Sequence, residues 1–179
     1  KHAAPVRREL GVRTLFNLLG PLTNPARASN QLLGVFHAEL TTVLAHVLKQ
    51  LGSHHAMVVH GSDGLDEITL SGPTHVAELR AGEIHEYTLR PEDFDLPCSA
   101  MTTLQVTGPD DAAAKLLSVL ENQPGPARDI VLLNAGAAIY VAGIAESIAA
   151  GIELARKALA SGAAKEKWQA LIEFSNQIK

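Results

Sequence analysis

Between Leu32 and His60 the hydrophobic period of the sequence changes twice, and this pattern restricts the fold more than any other feature of the chain. Leu32-Leu33-Gly34-Val35-Phe36 is a short apolar run of the kind buried on both faces of a sheet. Leu40, Leu44, Val47, Leu48 and Leu51 then recur at helical spacing until Gly52 ends them, and Met57-Val58-Val59-His60 is a second buried run. Strand, helix and strand within about thirty residues make a βαβ unit, whose parallel strands need helices over their faces.

Beyond this unit the texture changes. From Asp66 to Leu89 short segments alternate, Ile68 to Leu70, His75 to Leu79 and Ile84 to Leu89, divided by Ser71-Gly72-Pro73 and Ala81-Gly82; they predict antiparallel hairpins. Pro91 suits the first turn of a helix, and Leu96 to Pro109 is irregular. Helical spacing returns over Asp110 to Leu120, over Arg128 to Val141 and on the stripe Ile148, Ile152, Ala155 and Leu159, while Trp168, Leu171 and Ile172 mark a last helix beyond a connection at Ser161 to Lys167. Near the start, Val6 to Leu19 reads as a helix halted where Gly20, Pro21, Asn24 and Pro25 forbid its continuation. The expected fold class is therefore α/β, with a mixed, mostly parallel sheet flanked by helices.

A chain of 179 residues, 46% of them hydrophobic, can bury one substantial core. Its net charge of −4, spread along the chain, argues against nucleic acid or a membrane surface as a partner held by electrostatics. No run approaches the roughly 18 apolar residues of a membrane span. The single cysteine, Cys98, cannot form an internal disulfide, so the expected compartment is the reducing cytoplasm. Lys1-His2-Ala3-Ala4-Pro5 has neither an initiator Met nor the character of a signal peptide, and the chain is expected to be a piece of a longer polypeptide.

Chemistry is suggested first by Met57 to Leu70, where Asp63, Asp66 and Glu67 follow a buried strand. Loops beyond the carboxyl ends of parallel strands are where ligands sit, and Gly61 and Gly64 allow a tight turn there. Two adjacent carboxylates about 5 Å apart repel by roughly 3 kcal/mol at an effective dielectric near 20 and by less than about 1 in water, so repulsion excludes nothing. Asp66 and Glu67 are either solvated turn residues or a magnesium site, since Mg²⁺ takes one or two carboxylates together with waters and substrate phosphates. Asp63 is by preference a turn residue. In Pro5 to Pro25, Arg7, Arg8 or Arg13 could hold an anion or could line an exposed helix face, and Asn17, Gly20 and Pro21 could shape a pocket wall or only end a helix. The eight histidines show no paired ligand spacing, and Asn134 to Gly143, small and apolar, predicts tight helix packing.

Four blocks, Pro5 to Ala26, Met57 to Leu79, Pro91 to Phe94 and Asp129 to Gly143, together resemble the C-terminal part of the anthranilate phosphoribosyltransferase family, in order along almost the whole chain. The resemblance implies the nucleoside phosphorylase type of α/β catalytic domain, of which residues 1–179 would be the C-terminal portion, without the N-terminal helical domain and the phosphate-loop half. It implies transfer of the ribosyl phosphate of phosphoribosyl pyrophosphate to the amine of anthranilate, releasing pyrophosphate with inversion at the anomeric carbon. By motif position Arg7 would meet anthranilate, Gly20 and Pro21 would flank it, and Asp66 and Glu67 would bind Mg²⁺ beside the pyrophosphate. The resemblance further implies a homodimer for the complete protein. A Gly-Gly-Asp block expected before the later helices stands here only as Val106 to Leu117. Two other readings are a pyrimidine nucleoside phosphorylase-like enzyme and a catalytically silent relative that binds nucleic acid.

Overall fold

The computed structural model describes residues 16–178. Among them, the elements in chain order are α1 (Phe16–Leu22), β1 (Asn30–Gly34), α2 (Leu40–Gln50), β2 (His55–Gly61), β3 (Thr74–Arg80) and β4 (Glu83–Leu89), followed by α3 (Pro109–Leu120), α4 (Pro126–Val141), α5 (Ile148–Ala160) and α6 (Ala163–Gln177). Short 3₁₀ turns at Pro91–Phe94 and Met101–Thr103 lie between β4 and α3.

The described strands form one sheet in the order β1-β2-β3-β4. β1 and β2 run parallel, with Gly34 opposite Val59, and α2 is the crossover between them. β2 pairs antiparallel with β3, and β3 antiparallel with β4. The sheet is mixed and flanked by helices, as the sequence predicts, but antiparallel pairings are the more numerous among the described residues. The reason is local: no helix forms between Gly61 and Thr74, so the chain turns back on β2 instead of crossing over it.

Alternation along the strands divides the core into two layers. Ala56 and Val58 of β2, with Ala77 and Leu79 of β3, face Leu44, Ala45 and Leu48 of α2. Met57, Val59 and Val76 face the other way, onto Leu132, Leu133 and Ala137 of α4 and onto Ile152, Ala155 and Leu159 of α5. Burial on both faces explains why β2 reads as an unbroken apolar run. α4 and α5 approach at Gly136 and Gly151, where a Cβ on Gly151 would stand 2.2 Å from the Gly136 carbonyl oxygen. The small-residue stretch is thus a packing device, as expected.

Three local expectations change. Ile68 to Leu70 is not a strand: both backbone groups of Ile68, the Thr69 N–H and the Leu70 carbonyl are taken by side chains and by a loop amide, as described below, and not by a neighbouring strand. Gly20 and Pro21 do not stop the first helix, because α1 continues to Leu22. There the Thr23 hydroxyl donates to the Leu19 carbonyl at 2.7 Å, closing the end that Pro21 disturbs. Finally, the connection before the last helix is only Ser161-Gly162, with Gly162 in the left-handed region at φ 81°. Ala163 to Lys167, good helix formers, belong to α6.

Candidate functional site

At the carboxyl end of β2 the chain enters a loop held by its own polar groups. Gly61 N–H donates to the Leu65 carbonyl at 2.8 Å and Gly64 N–H to the Gly61 carbonyl at 2.9 Å. Gly64 sits at φ 90°, a conformation suited to glycine. Asp63 is the hub. Its Oδ1 accepts from Leu65 N–H at 3.1 Å, and its Oδ2 accepts from the hydroxyls of Thr69 at 2.7 Å and Ser71 at 2.5 Å. Burial pushes this carboxyl up, but the bonds from Ser71, Thr69 and Leu65 outweigh it and hold Asp63 below the ordinary 3.8. Asp63 is the shaping residue of the turn, and its oxygens are occupied in that work.

Asp66 and Glu67 are different. Both are exposed, and among the described residues neither carboxylate has a hydrogen-bond or ion-pair partner. Their backbone is nevertheless tightly bounded. On one side Gly34, the last residue of β1, lies so close that a Cβ there would stand 1.6 Å from the Asp66 carbonyl oxygen. On the other side the Asn134 side chain of α4 grips Ile68: Oδ1 accepts from Ile68 N–H at 2.9 Å, and Nδ2 donates to the Ile68 carbonyl at 2.8 Å. Thr69 N–H goes to the Thr74 hydroxyl at 3.1 Å, and the Leu70 carbonyl accepts from Ser99 N–H at 2.9 Å. The result is a free acid pair on a fixed backbone.

Glu67 also forms part of the wall of an apolar groove of about 320 Å³, with Leu65, Met101, Leu104, Leu116 and Ile130 among its other walls. Loss of hydration against that wall pushes the Glu67 carboxyl above the ordinary 4.5, and the charge of Asp66 pushes it further the same way. A cation bound by the pair would offset the repulsion between the two carboxylates. Among the described residues there is no group of three or more His, Cys, Asp or Glu able to hold a metal. Two adjacent hard carboxylates fit magnesium, which takes one or two carboxylates and completes its octahedron with waters and phosphate oxygens.

The remaining sequence candidates lie elsewhere. Arg7, Arg8 and Arg13 fall outside the described residues. Pro21 lines a polar cavity of about 460 Å³ with Arg27, Ser29, Gly52 and Ser53, at the amino ends of β1 and β2. Gly20 is exposed and has open space around it. Pro21 and Glu67 therefore line separate cavities. Gly108 to Asp111 begins α3, with Asp111 accepting from Thr107 N–H at 2.9 Å, and shows no other role. Cys98 is exposed and free.

Sequence reasoning did not single out Gly34 or Asn134 as parts of this site. A glycine closing a strand before a loop and an asparagine in mid-helix, where its propensity is poor, were the available signals.

Comparison with known proteins adds a family. Residues 1–165 match the glycosyl transferase family, a/b domain. The chain is 75% identical over 178 residues to an anthranilate phosphoribosyltransferase of Nitrosomonas europaea, covering 99% of this chain and 52% of the relative. It is 62% identical to that of Thiobacillus denitrificans, covering 100% and 52%. Among solved structures it is similar to the anthranilate phosphoribosyltransferase of Thermus thermophilus, with TM-score 0.87, 44% identity, and 97% of this chain against 51% of that one. It is also similar to the Saccharomyces cerevisiae enzyme in complex with PRPP and Mg, with TM-score 0.84, 28% identity and shares of 96% and 50%. The chain spans about half the length of these relatives.

Proposed function

We infer that this chain, which belongs to the glycosyl transferase family through its a/b domain, is the acid-bearing portion of an anthranilate phosphoribosyltransferase. In this reading residues 1–179 are the C-terminal portion of one α/β catalytic domain, and another stretch of polypeptide supplies the phosphate loop and the helical domain. The complete protein transfers a phosphoribosyl group from phosphoribosyl pyrophosphate to anthranilate in tryptophan biosynthesis. The observation that carries the reading is the contrast among the three acids: Asp63 is consumed by Ser71, Thr69 and Leu65, while Asp66 and Glu67 remain unpaired on a fixed backbone.

In the reaction the amine nitrogen of anthranilate forms a bond to the anomeric carbon as the bond from that carbon to pyrophosphate breaks, with inversion, and the nitrogen then gives up one proton to water or to the departing pyrophosphate. Negative charge grows on the leaving oxygens while the ribose becomes cation-like. Bound Mg²⁺ would supply electrostatic stabilisation of the departing pyrophosphate. Asp66 and Glu67 would hold that ion through side-chain oxygens, and the clamped backbone would keep those oxygens in place without reorganisation. Arg7 would pair with the anthranilate carboxylate; Gly20 and Pro21 belong beside the aromatic ring by the family resemblance alone, since Pro21 lines a cavity at the amino ends of β1 and β2. Since the aromatic amine is already a usable nucleophile, no general base is asked of these residues, and their work is positioning.

Cytoplasmic placement and a homodimeric complete protein are supported by the family resemblance. No described helix is long and apolar enough to cross a membrane.

The test is Asp66→Asn with Glu67→Gln in the complete protein. The magnesium concentration for half-maximal rate should rise and folding should survive, because two unpaired, mutually repelling charges are removed. An unchanged magnesium requirement would return the pair to the role of a solvated turn.

A further inference from the structure

We propose that Asn134 is the positioning residue of the acid pair, acting on Asp66 and Glu67 through the backbone of Ile68. The inference rests on the reading of that pair as the magnesium ligands.

Asn134 lies in the interior of α4, where asparagine disfavours the helix because its amide competes with the backbone. Both amide hydrogens and the amide oxygen are engaged. Oδ1 accepts from Ile68 N–H at 2.9 Å, while Nδ2 donates to the Ile68 carbonyl at 2.8 Å and to the Ile130 carbonyl at 3.0 Å. These partners also determine the amide's orientation, since a flipped group would turn its oxygen onto two carbonyls. One side chain thereby satisfies both backbone groups of a single residue, as a neighbouring strand would.

That residue directly follows Glu67. The Ile68 side chain is 1% exposed, so its backbone is held from α4 while its side chain is held in the core. Before the pair, the Leu65 carbonyl is tied to Gly61 N–H. Of these ties, Asn134 is the one made by a side chain that can be changed without touching the acid loop itself. Removing it leaves the Ile68 N–H and C=O without partners and frees the segment that carries the two carboxylates. An ion that needs closely placed oxygens should feel this change, because residues that orient metal ligands typically affect affinity by about 10–100-fold.

The experiment uses the complete protein and manganese(II) as a spectroscopic probe, with free ion counted by electron paramagnetic resonance in the presence of pyrophosphate. Amide exchange at Ile68 and the melting temperature are recorded alongside. Asn134→Ala is expected to weaken manganese binding by about tenfold and to accelerate exchange at Ile68. Asn134→Asp is nearly isosteric, keeps an acceptor for Ile68 N–H and turns a carboxylate oxygen onto the Ile68 and Ile130 carbonyls; it should act in the same direction. Leu79→Ala, in the other core layer and opposite Ala56 at the amino end of β2, should lower the melting temperature and leave manganese affinity within about twofold, which separates positioning from general destabilisation. If Asn134→Ala binds manganese like the wild type while Asp66→Asn with Glu67→Gln does not, the positioning role is overturned and the metal site stands. If that double variant also binds like the wild type, the metal reading itself fails. Loss of the fold in both Asn134 variants would make the residue a structural one and overturn the proposal.

Discussion

Gly34→Ala should damage stability and site together, because the one added methyl has nowhere to go. A Cβ at this position stands 1.6 Å from the Asp66 carbonyl oxygen and 2.5 Å from its carbon, against an ordinary contact of 3.4–4 Å. The obstacle is backbone, so no rotamer change relieves it. β1 cannot retreat easily, since its ladder with β2 continues through Val35 N–H to the Val59 carbonyl at 2.9 Å. The Asp66 segment must therefore yield, pulling against the Asn134 clamp on Ile68. Overpacking of this kind costs about 1–3 kcal/mol, and loosening a buried backbone hydrogen bond adds about 1–3. Alanine's advantage over glycine in a strand returns roughly 0.5–1. A net loss of about 1–5.5 kcal/mol follows, centred on about 3, equivalent to a drop of roughly 6–12 °C in melting temperature at that centre for a protein of this size. Denaturant melts read the stability term, and a magnesium titration of rate in the complete protein reads the site. A variant as stable as the wild type with the same magnesium requirement would refute the claim that the acid pair rides on an immovable backbone.

Gly151→Ala should destabilise by more than about 2 kcal/mol, since its Cβ would meet the Gly136 carbonyl oxygen at 2.2 Å where α4 and α5 touch; denaturant melts check this. Asp63→Asn should lower stability by about 1 kcal/mol through weakened bonds to Ser71 and Thr69, with a magnesium requirement within about twofold of the original. Glu78, buried in the sheet, accepts from Tyr87 at 2.6 Å, from Tyr140 at 2.7 Å and from His55 at 2.8 Å. Burial pushes its carboxyl up, and these bonds more than reverse that, leaving it below the ordinary 4.5. A depressed folded value means that the stabilisation is fully present above 4.5 and is lost as pH falls through the folded value. Stability measured against pH should therefore fall in acid, and Glu78→Gln should flatten that fall.

Much of the fold was legible in the sequence wherever a segment's environment follows from its own period. β1, α2 and β2 announced themselves because apolar residues recur at spacings that place them on one face or on two, and the β3–β4 hairpin because Ala81-Gly82 turns between alternating runs. The acid pair stood out by position, beyond the end of a parallel strand. Asp63 was already set apart from Asp66 and Glu67 as a turn residue before Gly64, but its partners were not legible: Thr69 and Ser71 occupy it only once the chain folds back over the loop. Ile68 to Leu70 carried the composition of a strand, yet its backbone found Asn134, Thr74 and Ser99 instead of a strand partner. Helical and strand periods report which way a side chain faces, and that is decided by neighbours a few residues away. Which group meets the backbone of Asp66 or Ile68 is decided by how β1 and α4 pack around the loop, and those contacts leave no period in the chain.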